Sequence, residues 1–397
     1  MAADNPETTV HPDPETAPGT RIAHIAISHH RLPLDPPFRA SWDGRARRSF
    51  DATIVRITDR EGRVGIGSGD LCLGFEGHED LFIGQDARAH ERHARVLDHI
   101  AFHYGRCWPV DLALWDLAGK IAGAPVWRLL GGKTGRLPLY ASTGVLRDRA
   151  AMAETAEAIA NAGFGAMKIR LSSTEAGRAG LDEDIAAIDA VRARVGNRLR
   201  LMVDANQGWR MPWDTAPPWS MKDALAAAKA LTPLDIFWLE EPLDRHDLAG
   251  MAALRAASPI RIAGGEMTRE LASLDRLIEA RALDILQPDA ALTGGITGLR
   301  RLIAAAGAAG LGFTPHSWTN GIGVAANAHL IAGCGTGAGP MLPLEWPFDP
   351  PEWSPARRDF PLATPLEAEG GMLDLGEAPG LGLTLDEDRL TETLIAP

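Results

Sequence analysis

GAMKIRLSSTEAGRAGLDEDIAAIDAVRARVGNRLRLMVDAN, residues 165–206, reads as a short strand, a loop, an alanine-rich helix and a second strand. Within GAMKIRL the side chains alternate between two faces. Ala166, Lys168 and Arg170 share one face, and Met167, Ile169 and Leu171 share the other. Two cations on one face of an otherwise apolar strand are costly to bury unless something anionic faces them. The second strand, LRLMVDA, ends in an acid, Asp204, with Asn206 just beyond it.

The same unit recurs on both sides of this stretch. LPLYAS, GAMKIRL, LRLMVDA, IFWLEE, IRIAGGE, ALDILQPD, LGFTPHS and MLPLEW read as eight strands, with seven helical stretches between them. Alternating β and α units predict a parallel sheet, and eight of them over about 210 residues predict an α/β fold closed into a (β/α)8 barrel of the TIM type. The barrel is assigned to residues 136–354. Residues 21–135 read as a separate α+β unit. RIAHIAISHHRL and SFDATIVRITD alternate as strands do, and helical spacing follows over 86–105 and 111–130, stopped by GGK at 131–133. VGIGSGD at 64–70 lacks the GxGxxG spacing and is followed by no helix, so it does not predict a dinucleotide loop. Residues 1–20 are polar and proline-rich, without the charged and apolar regions of a signal peptide, and are expected to be a disordered tail. Residues 355–397 carry strand-like and acidic pieces and are expected to fold back on the N-terminal unit.

The formal net charge of −12 argues against a nucleic-acid or anionic-membrane partner, but not against a small anionic substrate held in a local cationic pocket. No apolar run approaches the ~18 residues of a membrane span. Cys72, Cys107 and Cys334 form no CxxC pair, which predicts small packed residues and suits a reducing cytoplasm.

In a barrel of this type the chemistry sits at the C-terminal ends of the strands. Polar residues gather there: Lys168 and Arg170, Asp204, Glu240 and Glu241, Glu266, Gln287 and Asp289, His316, and Glu345. Asp204, Glu240 and Glu266 lie on successive strands, and three converging carboxylates repel without a cation between them. An all-oxygen set suits a hard divalent ion such as Mg2+ rather than zinc. In WLEEPL only one of two adjacent glutamates can point at that ion, and the pattern leaves open which. His316 is the best general base, and Asp289, one helical unit earlier, is placed to hold its second nitrogen. Asn206 is a candidate hydrogen-bond partner for a substrate hydroxyl. Trp318, two residues after His316, is a candidate apolar wall. Trp213 and Trp219 lie in an inserted loop over 210–222.

Taken together, KIR (168–170), VDAN (203–206), WLEEP (238–242), GGE (264–266), the Asp289/His316 pair and LEW (344–346) resemble the enolase superfamily, and within it the mandelate racemase subgroup. ALWDLAGKIAGAPVWRLLGG (113–132) resembles the helix that joins that family's capping domain to its barrel. The resemblance spans about residues 20–395. It implies an α+β capping domain, built from the N-terminal part and the C-terminal tail, closing over a modified (β/α)7β barrel. It implies Mg2+ on Asp204, Glu240 and Glu266, so Glu240 rather than Glu241, and a carboxylate substrate whose α-proton is removed to give an enediolate. Lys168 would add positive charge beside the substrate carboxylate, and a protonated Glu345 would donate a hydrogen bond. Two capping loops, residues 32–43 and 71–80, would cover the substrate, with Arg39 and His78 as candidate contacts. A symmetric homo-oligomer, dimer or octamer, is also implied.

The resemblance breaks at Arg170, where the family's pattern has a second lysine acting as a base on the face opposite the histidine. Guanidinium stays protonated and suits carboxylate binding or charge stabilisation instead. Racemisation needs proton transfer on both faces, whereas dehydration can run on His316 alone. The expectation is therefore a sugar-acid dehydratase yielding a 2-keto-3-deoxy acid. A racemase or epimerase of an α-hydroxy acid or amino-acid derivative is the alternative, and a non-catalytic carboxylate-binding barrel stands behind both.

Overall fold

Three antiparallel strands lead the chain: β1 (Ile22–Phe38), β2 (Arg47–Asp59) and β3 (Val64–Gly69), in the order β1-β2-β3. They belong to a computed structural model that describes residues 18–69, 72–172, 178–215 and 217–395. Most of the tail expected over residues 1–20 lies outside these residues, and Pro18–Thr20 form a 3-10 turn. Helices α1 (His90–His103) and α2 (Pro109–Ala122) follow. The alternation expected of β2 holds only over its second half, where Val55, Ile57 and Asp59 are buried and Arg56 and Thr58 half-buried; residues 52–55 are buried consecutively because both faces of the strand are covered there.

α2 is buried along most of its length because it lies between the sheet and the barrel. Its approach to β3 is close. A Cβ built on Gly65 would lie 2.2 Å from the Ala113 carbonyl oxygen, and one on Gly67 would lie 2.0 Å from that of Pro109. The glycines of VGIGSG thus serve helix packing. The helix expected over 111–130 is two helices. Gly123 takes the left-handed conformation (φ 63°), which ends α2, and Pro125 precedes the short α3 (Val126–Leu129).

The repeat then runs β4 (Arg136–Ser142), α4 (Arg149–Asn161), β5 (Ala166–Arg170), α5 (Arg178–Val195), β6 (Arg200–Asp204), α6 (Met221–Leu231), β7 (Ile236–Glu240), α7 (Leu248–Ala257), β8 (Arg261–Gly264), α8 (Leu271–Glu279), β9 (Ile285–Leu286), α9 (Gly295–Ala308), β10 (Gly312–Phe313), α10 (Gly321–Cys334) and β11 (Leu344–Pro347). The strands are parallel in the order β10-β9-β8-β7-β6-β5-β4-β11. The eighth strand of the repeat pairs with the first, and at the two ends of this order, β10 and β11, the Thr314 hydroxyl just past β10 donates to the Pro343 carbonyl oxygen just before β11 at 2.8 Å, the ring order of a TIM barrel. Inside it, Tyr140, Ala166, Met202, Trp238, Ala263 and Ile285 pack as a floor. The strand period of two then sets Ser142, Lys168, Asp204, Glu240 and Gln287 one layer above, at the C-terminal mouth.

After α11 (Pro355–Arg358), β12 (Met372–Asp374) pairs antiparallel with β4. α12 (Glu387–Thr393) then reaches the N-terminal sheet. His30 Nδ1 lies 2.9 Å from the Leu390 carbonyl oxygen, and the Ile395 N–H donates to His29 at 2.8 Å. Buried acids on α2 tie the layers together. Asp111 accepts from the Thr297 hydroxyl at 2.6 Å at the start of α9, and Asp116 accepts from Ile66 N and Leu381 N, each at 2.7 Å. Among the described residues no helix is long and apolar enough to cross a membrane.

Candidate active site

Strand register builds the acidic centre. Arg170 pairs with Asp204 across β5 and β6, and Asp204 pairs with Glu240 across β6 and β7. Glu266 follows β8 by two residues. Asp204, Glu240 and Glu266 are buried and each offers an oxygen within 4.8 Å of the others'. Glu240 Oε2 accepts from Trp238 Nε1 at 3.0 Å and Gln287 Nε2 at 2.9 Å; Glu266 Oε1 accepts from Trp209 Nε1 at 2.8 Å. Glu266 Oε2 is buried with no hydrogen-bond partner. Burial, then Asp204, push the Glu240 carboxyl up despite the neighbouring Lys168. Three buried hard oxygen donors, one of them unpartnered, fit a divalent cation such as Mg2+. Glu241 is not in the trio. It has φ 46°, its Oε2 is buried without a hydrogen-bond partner, and burial followed by the neighbouring Glu266 pushes its pKa up.

Lys168 and Arg170 face these acids. Lys168 Nζ lies 2.6 Å from Glu240 Oε1, 2.7 Å from Glu345 Oε1 and 3.5 Å from Asp204 Oδ2. Burial presses the ammonium pKa down, but Glu240 and Glu345 outweigh it, and the net shift is upward. Arg170 pairs with Asp204 through Nη1, donates from Nε to the Thr143 carbonyl oxygen at 3.1 Å, and packs its guanidinium over the Trp42 ring at 4.6 Å. Its pKa also moves up, because Asp204 and Glu345 overcome burial. The neutral Glu345 expected above is corrected. It accepts from Ser142 Oγ at 2.8 Å and Ser317 N at 2.7 Å, and Lys168, His316 and Arg170 together overcome burial and hold it low, as an anion. Asn206 has φ 45°, accepts from Arg170 Nη1 at 3.4 Å and keeps its buried Nδ2 without a partner.

His316 Nδ1 lies 3.1 Å from Asp289 Oδ2, and Nε2 lies 3.8 Å from Glu266 Oε2. Burial lowers the imidazole pKa, but Glu266 and the Asp289 hydrogen bond reverse this and raise it to about 9. Asn327 completes the arrangement. Its Nδ2 donates to Asp289 Oδ1 at 2.8 Å and to the His316 carbonyl oxygen at 3.2 Å. Sequence reasoning missed it. The available signal was an amide in the middle of a helix, α10, that is otherwise almost wholly apolar.

Above these groups a cavity of about 240 Å³ opens between barrel and N-terminal sheet, with Arg170, Glu266 and His316 at its base. Trp318 lines it, and its Nε1 donates to Ser142 Oγ at 2.9 Å. Arg39 and His78 do not line it. Phe38 ends β1 pointing inward, which leaves Arg39 exposed, and His78 packs on Tyr104 at 4.6 Å and against the Phe75 carbonyl oxygen at 3.2 Å. Trp42, Arg47 and Phe50 of the N-terminal unit line the cavity instead. Trp213 bridges the layers, donating to Asp43 Oδ1 at 3.1 Å, and Trp219 packs against the barrel core.

Residues 22–131 match the family model described as mandelate racemase / muconate lactonizing enzyme, N-terminal domain, and residues 151–389 match that described as enolase C-terminal domain-like. The chain is similar to the D-galactarolactone cycloisomerase of Agrobacterium fabrum, 31% identical over 387 residues, which cover 92% of this chain and 96% of that one. It is similar to the L-talarate/galactarate dehydratase of Salmonella typhimurium, 28% identical over 93% of this chain and 90% of that one. A solved structure of a racemase from Streptomyces coelicolor A3(2) with bound magnesium matches with a TM-score of 0.79 at 27% identity, over 94% of this chain and 100% of that chain. A cycloisomerase, a dehydratase and a racemase thus share the architecture, so the reaction has to be read from this chain's own side chains.

Proposed function

From the premise that the chain belongs to the mandelate racemase / muconate lactonizing enzyme family, we propose that it is a Mg2+-dependent lyase that dehydrates a sugar acid to a 2-keto-3-deoxy acid. Asp204, Glu240 and Glu266 would hold the ion, which supplies positive charge where the substrate carboxylate becomes more negative. Lys168, fixed between Glu240 and Glu345, adds a second positive charge and a hydrogen bond on that side. Asn206 Nδ2 offers a donor to a substrate oxygen.

His316 Nε2 takes the α-proton, and the C–H electron pair moves into the Cα–carboxylate system as an enediolate. Asp289 stabilises the imidazolium and Asn327 holds Asp289. The pair then returns to form the Cα–Cβ double bond as the Cβ–O bond breaks. His316 hands its proton to the departing oxygen, and the resulting enol becomes the keto acid. The observation that carries this reading is Arg170. Ion-paired with Asp204 and Glu345 and raised in pKa, it keeps its proton and cannot serve as a second base. That disfavours a racemase or epimerase, and a non-catalytic barrel has no use for the braced His316–Asp289–Asn327 set.

A second reading keeps the step and changes the leaving group. Where the β-oxygen belongs to a ring, the same elimination opens the ring, and the similarity to a D-galactarolactone cycloisomerase favours including such acids. The test is a panel of aldonic and aldaric acids and their lactones, with Mg2+, followed for keto-acid formation. Keto acid from at least one member, lost in His316→Asn, supports the reading. No keto acid from any member counts against it.

A further inference from the structure

Beside the active-site cavity a second cleft, of about 280 Å³, opens on the seam between the N-terminal unit and the barrel. Three connections meet there. The turn between α1 and α2 gives Arg106, the stretch after β7 gives Arg245 and His246, and the stretch after β8 gives residues 267–270. Ser273 and Arg276 follow on one face of α8. Met267 and Arg269 line both hollows, but none of the groups assigned to the chemistry lines this one.

The cleft is cationic in a chain whose net charge is −12. Glu270 is the one acid among its described lining residues. Among the described residues, Arg106, Arg245 and Arg276 pair with no carboxylate, and Arg245 Nη1 makes only a 3.4 Å contact to the Gly208 carbonyl oxygen. Guanidinium groups gathered round one hollow repel each other, and an anion between them turns that repulsion into attraction. Two further features call for the same occupant. Thr268 is 7% exposed, and its Oγ1 is buried with no hydrogen-bond partner. A hydroxyl so placed has a proton to donate and nothing in the chain to take it. In addition, α8 starts at the cleft with Glu270 as its N-cap and no side chain capping it, so the positive end of the helix lacks a side-chain acceptor.

Guanidinium forks, a hydroxyl and helix N–H groups are all donors. A phosphate dianion presents only acceptor oxygens, has the geometry the forks match, and carries more charge than a carboxylate. Leu248 and Leu277 add an apolar side against which the organic part of an ester can pack. We propose that this cleft is a second ligand site, which takes a phosphate group, free or as the monoester of a small metabolite, through Arg106, Arg245, Arg276 and Thr268. Its ligand rests on residues 267–270, the continuation of the backbone that carries Glu266.

The test is isothermal titration calorimetry on the full chain at fixed ionic strength, with inorganic phosphate, glucose 6-phosphate and succinate as probes. Saturable binding of at least one phosphate probe is expected. It should weaken at least tenfold in Arg106→Ala and in Arg276→Ala, and at least threefold in Thr268→Val, which keeps the shape of the side chain and removes its hydroxyl. Both arginines are exposed, so their replacement should leave the melting temperature without phosphate unchanged. Arg106→Lys, which keeps the charge and loses the fork, should fall between wild type and Arg106→Ala. Arg47→Ala, on the wall of the active-site cavity, should change binding less than twofold. Tighter binding of glucose 6-phosphate identifies an ester as the ligand, and tighter binding of phosphate identifies the free ion. No saturable binding of either, binding that survives both arginine variants, or binding lost as fully in Arg47→Ala overturns the proposal. So does succinate held more tightly than both through Arg106, since the cleft would then be a dicarboxylate site.

Discussion

A guanidinium two residues beyond Lys168 changes what the barrel mouth can do with a proton. Arg170 is buried against Asp204, and the ion pair both fixes its geometry and keeps it charged. In the proposed elimination all proton traffic then falls to His316. Replacing His316 by asparagine retains a donor towards Asp289 and removes the base, so kcat should fall by roughly 10²–10⁴-fold with the melting temperature little changed. Unchanged turnover would remove His316 from the chemistry. The imidazole also reports on the metal. Its pKa near 9 is driven up chiefly by Glu266, so without a cation only about 1% is the neutral base at pH 7. A cation on Glu266 cancels that charge, so adding Mg2+ should lower the His316 pKa and enlarge the neutral fraction. An NMR titration of the ring with and without Mg2+ checks this, and an unmoved or raised pKa contradicts it. Which residue types converge here was legible from strand ends alone. The ionisation of Glu345 was not, because it depends on three cations brought in from other strands and loops.

Two elements carry more than their sequence suggests. The glycines of β3 sit where no phosphate loop is built, and they are needed because α2 crosses the strand at backbone distance. Gly67→Ala forces the Pro109 turn away and should destabilise the protein by about 1–3 kcal/mol, read as a lower denaturation midpoint. A neutral result would mean that the sheet and helix can separate freely. α10 reaches the site through Asn327, whose amide joins Asp289 to the backbone of His316. Asn327→Ala should cost about 10–100-fold in kcat with a smaller change in KM, as removal of an orienting partner does. The eight strands were legible because each is a short apolar run ending in polar residues. The break of the second helix at Gly123 was not, since an apolar pattern continues on either side of it and only the left-handed backbone shows where the turn falls.

At the scale of the whole molecule, the site exists only where two layers meet. The barrel supplies the acids and bases, and the N-terminal sheet supplies Phe38, Trp42, Arg47 and Phe50 to the cavity above them. α2 holds the layers in register through Asp111 and Asp116. The capping contacts were misjudged from the sequence because charge was expected to meet substrate, whereas β1 and the turn after it turn aromatic rings inward and leave Arg39 outside. Since the three acids come from three strands, a cation binds the folded chain alone. At about 100 times its dissociation constant, Mg2+ should add about 2.7 kcal/mol of stability, and Asp204→Asn should remove most of this gain. A melting temperature indifferent to Mg2+ in the wild-type protein would contradict the assignment of the trio.

The most direct measurement follows an accepted acid from the panel in D2O with Mg2+ and locates the label by NMR and mass spectrometry. One-base elimination predicts a keto acid with deuterium at the former Cβ and residual substrate of unchanged configuration. Residual substrate that is inverted and labelled at Cα, with no keto acid formed, would contradict it.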